Sequence, residues 1–144
     1  WFRRERVSLN LKYVPPNPIK VPELVDQLIE ETKKGDLTTV ERAAYFHLVL
    51  AGIQPFRDGN KRTARLFQDA ILDDYGLPPA VIPSGERVVY IDLLEEALIG
   101  RQANDLRKQR PFFDYIGGKV NHGLDQILND LDPKGAYAQK KKVK

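Results

Sequence analysis

Apolar and polar residues alternate near the start of the chain. The apolar positions are Val7, Leu9, Leu11 and Tyr13. This period of two predicts a half-buried β-strand over residues 7–13, which Pro15 ends. No second strand is evident in the sequence, so we expect its partner to lie upstream of the first residue or in another molecule.

Beyond residue 20 the apolar residues recur every three or four positions, which predicts helices. Pro22 suits the first turn of a helix that ends near Gly35. Thr38 and Glu41 have the spacing of a capping box, so a second helix should begin there. Its apolar face is predicted to carry Val40, Ala44, His47 and Ala51.

Three more helical segments follow. One begins after Asp58-Gly59-Asn60 and should stop at Gly76, before two prolines. Its predicted inner residues are Leu66, Phe67, Ala70 and Ile71. Further amphipathic segments span 86–99 and 112–131, and we expect Gly117 and Gly118 to interrupt the second of these. The predicted fold class is therefore all-α with one short N-terminal strand.

Composition narrows the class of protein. The 144 residues contain no apolar run near the eighteen or so needed to cross a bilayer, so we expect one soluble domain over residues 1–135 and no membrane contact. The absence of cysteine excludes disulfides and fits a reducing, cytoplasmic compartment. With two histidines, a zinc site is not expected. The chain also lacks methionine, even at its start, which indicates an N-terminally truncated piece of a longer protein or a sequence that has lost its methionines.

The basic character of the chain comes from its end. Four of the last five residues are lysines, and without them the net charge falls from +3 to −1. We therefore interpret residues 136–144 as a disordered, solvated tail and do not expect a nucleic-acid partner.

Chemically informative residues are concentrated between the second and third predicted helices. The segment reads Gln-Pro-Phe-Arg-Asp-Gly-Asn-Lys-Arg-Thr-Ala-Arg over residues 54–65. A glycine turn that runs into a helix directs free N–H groups and the positive end of the helix dipole at one spot, which favours an anion. Lys61, Arg62 and Arg65 add cations, and Asp58 could hold Mg²⁺ together with substrate phosphates. These features together predict a nucleoside polyphosphate site.

The same residues have a simpler interpretation. Asp58 could cap the third helix while the cations form a solvated stripe, an arrangement that is common in helical proteins. The segment is also not a Walker A loop, because the first glycine and the Lys-Ser/Thr pair are missing.

The segment resembles the signature of the Fic family, His-Pro-Phe-x-Asp/Glu-Gly-Asn-Gly/Lys-Arg-x-x-Arg. The matching residues are Pro55, Phe56, Asp58, Gly59, Asn60, Lys61, Arg62 and Arg65. The resemblance extends over most of residues 1–115. It implies a Fic-type helical bundle with a short β flap, and a nucleotidyltransferase that moves AMP from ATP to a protein hydroxyl (AMPylation).

The resemblance also implies roles for individual residues. Asp58 would bind Mg²⁺, and Gly59, Asn60 and Lys61 would form an anion hole. Arg62 and Arg65 would hold the outer phosphates of ATP. Phe56 would be a buried anchor for the loop.

One position departs from the family pattern. Gln54 stands where Fic enzymes have the histidine that takes the proton from the target hydroxyl. An amide does not titrate near neutral pH, and loss of a general base typically costs about 10²- to 10⁴-fold in rate. We therefore expect AMP transfer to be weak or lost. His47 is interpreted as a packed helix residue and not as a substitute base.

Other parts of the chain bear on partners. In the family the flap pairs with an extended target segment, so residues 7–13 could dock a protein whose Ser, Thr or Tyr hydroxyl accepts AMP; half of an ordinary hairpin is the alternative. The inhibitory string Ser/Thr-x-x-x-Glu-Gly/Asn is absent, so inhibition would come from a partner chain, from an upstream inhibitory helix, or not at all. Tyr90 is a candidate to stack near adenine or a core residue.

Three functions remain open from the sequence. The leading hypothesis is a Fic-family adenylyltransferase that uses ATP and Mg²⁺. The alternatives are a catalytically inactive ATP-binding sensor or scaffold, and a helical nucleic-acid binder that uses Arg62, Arg65 and the tail.

Overall fold

The computed structural model describes residues 2–7, 12–133 and 135. Five helices make up most of this part: α1 Val21–Lys33, α2 Thr39–Ile53, α3 Asn60–Asp74, α4 Arg87–Gln102 and α5 Leu106–Leu131. Single 3-10 turns, Pro18–Lys20 and Ser84–Glu86, precede α1 and α4. The predicted all-helical class is confirmed. The predicted tail, residues 136–144, lies outside the described residues.

Helix α2 is the centre of the fold, since it packs against α1, α3, α4 and α5. It begins with the predicted capping box, in which Thr38 Oγ1 accepts from Glu41 N (3.3 Å) and Glu41 Oε2 accepts from Thr38 N (2.9 Å). Nine of its fifteen residues are buried. Because α2 is enclosed on nearly all sides, its ends are its accessible parts. Its C-terminal end leads directly into the segment 54–65. No helix in the described part of the chain is both long and apolar enough to cross a membrane.

The predicted inner face of α3 is wrong. Leu66, Phe67 and Ala70 are exposed and Ile71 is half-buried. The buried residues are Asn60, Ala64, Gln68 and Leu72. These four follow an i, i+4 row. Two of them, Asn60 and Gln68, are polar and can be buried because they make hydrogen bonds inside the protein. Counting apolar residues alone therefore assigned the wrong face.

Helix α5 is longer than predicted. It begins at Leu106, where Asp105 Oδ1 accepts from Arg107 N (3.0 Å), and it runs through Gly117 and Gly118 without interruption. A glycine costs about 1 kcal/mol in a helix interior. Burial of Phe112, Ile116 and Val120 on the same helix outweighs that cost.

The predicted strand over residues 7–13 is not seen. Val7, Lys12 and Tyr13 are in irregular structure, and residues 8–11 lie outside the described part of the chain. A single strand without a partner leaves its backbone groups unpaired, so alternation alone does not stabilise it. Tyr13 instead packs into the core, and its hydroxyl donates to the Gly52 carbonyl (3.2 Å).

A buried polar network links α2, α3 and α4. His47 is fully buried; its Nδ1 lies 2.7 Å from Gln68 Oε1 and its Nε2 lies 2.8 Å from the Tyr90 hydroxyl. Gln68 Nε2 donates to Asp69 Oδ1 (3.1 Å), so its oxygen faces His47 and Nδ1 carries the proton. The Tyr90 hydroxyl then donates to Nε2. His47 is therefore a packed, neutral residue, as expected from the sequence.

This network makes stability depend on pH. Burial lowers the pKa of His47 to about 4, although the hydrogen bond that His47 donates to Gln68 opposes this shift. Between pH 6.5 and about 4 the unfolded chain binds a proton at His47 that the folded chain does not. The free energy of unfolding should therefore fall with decreasing pH across this window, by up to about 1.4 kcal/mol per pH unit from this residue.

Urea unfolding of wild type and His47→Gln at several pH values between 7 and 4 measures this contribution. The variant should lose less stability than wild type over the window, whatever its stability at pH 7. Lowered carboxyl pKa values at Glu41 and Glu86 affect both proteins equally. Parallel pH profiles for the two proteins would show that His47 is not the group that titrates.

Candidate active site

Two left-handed residues shape the connection between α2 and α3. Gln54 has φ 53° and ψ 58° at the C-cap of α2, and Gly59 has φ 78° at the N-cap of α3. Glycine adopts this conformation freely, whereas a glutamine there costs on the order of 1 kcal/mol or more. We call residues 54–59 the α2–α3 turn. The surrounding structure must hold its first residue in this conformation.

The last carbonyls of α2 all have partners. Gln54 N donates to Leu50 O (3.2 Å) and Gln54 Nε2 donates to Ala51 O (2.5 Å). The Tyr13 hydroxyl donates to Gly52 O, and Arg3 Nη2 donates to Ile53 O (3.3 Å). Such carbonyls have no partner within the helix, so these bonds stabilise the helix end.

Arg3 is a site residue that the sequence reasoning missed. Its side chain is 3% exposed, and its Nε donates to Gln54 O (2.5 Å). Burial lowers the pKa of this guanidinium, while the nearby Tyr13 opposes the shift. A cation at the C-terminal end of a helix is favoured by the helix dipole. A sequence signal for this role is hard to find, because Arg3 lies about fifty residues before its partners.

Asn60 ties the other end of the α2–α3 turn. It is 5% exposed; its Oδ1 accepts from Phe56 N (2.8 Å), and its Nδ2 donates to Phe56 O (2.8 Å) and Gln54 Oε1 (3.0 Å). The Asn60 side chain thus faces the protein interior, and only its backbone N–H remains for an anion. Phe56, for which the resemblance implies a buried anchor, is only half-buried, whereas the neighbouring Pro55 is fully buried.

The Gln54 side chain is turned into this network. It is 5% exposed, its Nε2 is bonded to Ala51 O and its Oε1 to Asn60. An amide that is held by two buried hydrogen bonds stabilises the turn. It is not free to orient a substrate hydroxyl without giving up one of them.

A groove of about 790 Å³ opens above the α2–α3 turn. All the sequence-predicted site residues line it: Gln54, Asp58, Gly59, Asn60, Lys61, Arg62 and Arg65. Val7 lies at its edge, and the opposite wall runs from Ile82 to Ile91. Arg57 and Arg87 are further lining cations that the sequence reasoning did not select. Five cations and one carboxylate therefore face the same groove.

The start of α3 points its dipole into the groove. No side chain caps this helix, because its N-cap is Gly59, and the first N–H groups of a helix have no acceptor inside it. Any other residue at position 59 would have to adopt the left-handed conformation, and its Cβ would lie 3.5 Å from Arg62 Nη2. The glycine keeps this helix end open to an anion.

Asp58 is the acidic group of the groove. Its Oδ1 accepts from Gly59 N (2.6 Å) and its Oδ2 pairs with Arg62 (3.2 Å), while its side chain is 93% exposed. No group of three or more His, Cys, Asp or Glu residues suited to a metal occurs in the part of the chain that the structure describes. One exposed carboxylate among cations fits Mg²⁺ that is carried mainly by substrate phosphates, since Mg²⁺ commonly uses one or two carboxylates in this way.

The opposite wall is fixed by buried contacts. Tyr90 is 4% exposed, its hydroxyl bonds to His47, and the Arg65 guanidinium lies 5.9 Å from its ring centroid. These contacts match the core interpretation of Tyr90, not a ring free to stack on adenine. Glu86 joins the start of α4 to α5 through Tyr115 (2.8 Å) and Lys119 (2.6 Å).

Comparisons with known proteins agree with this geometry. The model of the Fic/DOC family matches residues 2–72. The chain is 35% identical over 130 residues to protein adenylyltransferase Fic of Drosophila persimilis. This match covers 88% of this chain and 24% of that protein. It is 34% identical over 137 residues to protein adenylyltransferase fic-1 of Caenorhabditis elegans, covering 85% and 26%. The chain thus spans about a quarter of the length of these curated relatives.

Solved structures share the fold. A Fic-domain-containing signalling protein from Bacteroides thetaiotaomicron superposes with a TM-score of 0.75 at 29% identity, over 86% of this chain and 52% of that one. A fragment of Fic-1 from C. elegans superposes with a TM-score of 0.74 at 25% identity, over 92% and 37%. The matched residues include α2, the α2–α3 turn and most of α3. Sequence, fold and the residues of the groove therefore agree that this chain belongs to the Fic/DOC family.

Proposed function

We propose that this chain is the ATP-binding domain of a protein adenylyltransferase, which transfers AMP from Mg²⁺-ATP to a hydroxyl of a protein target, and that Gln54 makes this transfer slow or absent. The observation that carries the proposal is the groove itself, where five cations and one carboxylate surround the open N-terminal end of α3. The names of the curated relatives support the same reaction at the level of the family.

The polyphosphate of ATP matches the charges of the groove. Backbone N–H groups at Asn60 to Arg62 and the helix dipole would hold phosphate oxygens, and Arg62 and Arg65 would neutralise the outer phosphates. Asp58 would hold Mg²⁺, which when bound neutralises charge on the phosphates. The Arg62–Asp58 pair would have to separate. An exposed ion pair of this kind contributes about 0–1 kcal/mol to stability, so its loss would reduce the free energy of binding only slightly.

The reaction requires a proton acceptor. The target hydroxyl oxygen forms a bond to the α-phosphorus, the bond to the bridging oxygen breaks, and pyrophosphate leaves. The hydroxyl proton must go to a base. Gln54 occupies the family's histidine position but cannot accept a proton near neutral pH. His47 is fully buried and both of its ring nitrogens are bonded, which argues against it as a substitute.

The second candidate is an ATP-binding sensor or scaffold without transfer. The specific observation in its favour is the engagement of the Gln54 amide by Ala51 and Asn60. With its amide used inside the protein, Gln54 would serve the shape of the turn and not the chemistry.

Partners and compartment follow from the same proposal. We place the target segment on residues 7–13, because Val7 lies at the edge of the groove. Inhibition would come from a partner chain, from an upstream inhibitory helix, or not at all. The absence of cysteine supports action in the cytoplasm.

The proposed binding mode predicts distinct losses for two variants. Asp58→Asn should remove the Mg²⁺ dependence of ATP binding. Arg65→Ala should weaken ATP binding by roughly 10- to 100-fold and weaken AMP binding less, since a hydrogen bond to a charged group contributes about 1.5–3 kcal/mol. Calorimetric titration with ATP and AMP, with and without Mg²⁺, measures both effects.

Matched controls lie elsewhere on the surface. Asp73→Asn removes an exposed carboxylate at the far end of α3, and Arg107→Ala removes an exposed cation at the start of α5. Both should bind Mg²⁺-ATP as wild type does. Equal affinity of wild type, Asp58→Asn and Arg65→Ala for Mg²⁺-ATP would refute the phosphate site.

Replacement of Gln54 tests the missing base. Gln54→His should raise AMP transfer by about 10²- to 10⁴-fold, because imidazole accepts a proton near neutral pH. Histidine tolerates the left-handed conformation of this position better than most residues. Gln54→Asn is the control, because it also tolerates this conformation but remains an amide. Labelling of a cell lysate with ATP carrying a radioactive α-phosphate measures transfer.

The labelling experiment separates the two candidates. The gain in Gln54→His should disappear in the double variant with Asp58→Asn. A Gln54→His protein that binds ATP normally and labels nothing would favour the sensor or scaffold. Wild-type transfer as fast as that of Gln54→His would show that the base argument is wrong.

A further inference from the structure

The Arg3 side chain joins three segments of the chain. Its Nη1 donates to Glu5 O (2.8 Å), and its Nη2 donates to Pro16 O (2.7 Å) and Ile53 O (3.3 Å). Its Nε donates to Gln54 O (2.5 Å). The backbone adds one more bond, from Arg3 N to Pro55 O (2.8 Å). Glu5 precedes residues 7–13 and Pro16 follows them, so Arg3 holds both ends of that segment against the end of α2.

The contacts at α2 fall on consecutive peptide groups. Ile53 O, Gln54 O and Pro55 O each accept from Arg3. Three consecutive carbonyls held from one side fix the orientation of three peptide planes. The direction in which the chain leaves α2 is thereby fixed, and that direction determines where residues 56–59 place the start of α3.

A simpler helix end would not need a buried guanidinium. Glycine in the left-handed conformation ends helices frequently and costs little. Here a glutamine adopts that conformation, and a buried cation faces the turn. Burial of a charge is costly unless its donors are bonded, and all three side-chain nitrogens of Arg3 donate to carbonyl oxygens. The hydrogen bonds of such a guanidinium are strong in one geometry only. General apolar packing does not have this dependence on geometry.

Arg3 does not line the groove. An effect of Arg3 on a bound nucleotide would therefore pass through the segments that Arg3 holds, the α2–α3 turn or the segment that carries Val7, and not through direct contact. We propose that Arg3 is a positioning residue for the phosphate site, which sets the α2–α3 turn through the carbonyls of Ile53, Gln54 and Pro55. This inference rests on the proposed function, because the site that it positions is the proposed ATP site.

Lysine is the informative replacement. Arg3→Lys keeps a positive charge at the end of α2, but one ammonium group cannot reproduce the planar set of donors that serves four carbonyls. Mg²⁺-ATP binding should weaken by about tenfold or more, equivalent to one lost hydrogen bond to a charged group. The control is Leu28→Ala, which destabilises α1 in the core and lies away from the groove. It should bind Mg²⁺-ATP as wild type does.

Hydrogen exchange measures the positioning role independently of ATP. The backbone amides of Gln54 and Phe56, in the α2–α3 turn, donate to Leu50 O and to Asn60 Oδ1. In Arg3→Lys their exchange should accelerate at least about tenfold more than that of amides in the middle of α2. In Leu28→Ala no such local difference should appear.

Each outcome decides between the hypotheses. Wild-type affinity and unchanged local exchange in Arg3→Lys would overturn the positioning role, and so would an equal loss of affinity in Leu28→Ala. If wild type does not bind Mg²⁺-ATP, the proposed function fails, and the exchange of Gln54 and Phe56 alone decides whether Arg3 positions the turn. If Arg3→Lys does not fold, the same comparison is made between Gln54→Gly and Gln54→Gly with Arg3→Lys, since glycine removes the strain at residue 54.

Discussion

The C-terminal end of α2 is the constraint on which the rest of the site depends. This helix is enclosed by the other four, so its end is fixed in space before the chain turns toward α3. Its last carbonyls are bonded by Arg3, Tyr13 and the Gln54 side chain. Gly52 must remain small there, because a Cβ would lie 2.6 Å from Leu98 Cδ2 and 3.0 Å from the Tyr13 hydroxyl. This set of contacts determines the positions of the turn and of the open end of α3.

The site combines buried, hydrogen-bonded polar groups with a cationic surface. Beneath the groove, the uncharged polar side chains of His47, Gln68 and Asn60 are buried. His47 bonds to Gln68, and Asn60 bonds to Gln54. Above it, five cations are exposed or partly exposed, and the one carboxylate among the lining residues, Asp58, pairs with Arg62. The buried groups hold the walls, and the exposed charges are available to a ligand. Gln54 belongs structurally to the first group, because its amide is bonded to Ala51 and Asn60.

The sequence predicted the local features of this chain better than its long-range ones. The capping box at Thr38, the place of Pro22 in the first turn of α1 and the turn at Gly59 were confirmed, because each depends on neighbouring residues. The prediction for the inner face of α3 was wrong, since one of the buried residues, Gln68, is polar and bonds to His47 on another helix. The strand was not seen, because alternation shows which residues could face a core but supplies no partner. Arg3 could not be selected, since its partners at the end of α2 lie about fifty residues away.

Titration of the isotopically labelled protein with Mg²⁺-ATP, followed through its backbone amide resonances, tests the central claim most directly. If the open end of α3 holds the phosphates, the largest and saturable shifts should fall on the amides of Gly59 to Arg62. Smaller shifts should follow on the opposite wall near Arg87. Saturable shifts confined to another part of the chain, or no shifts at millimolar nucleotide, would contradict the account.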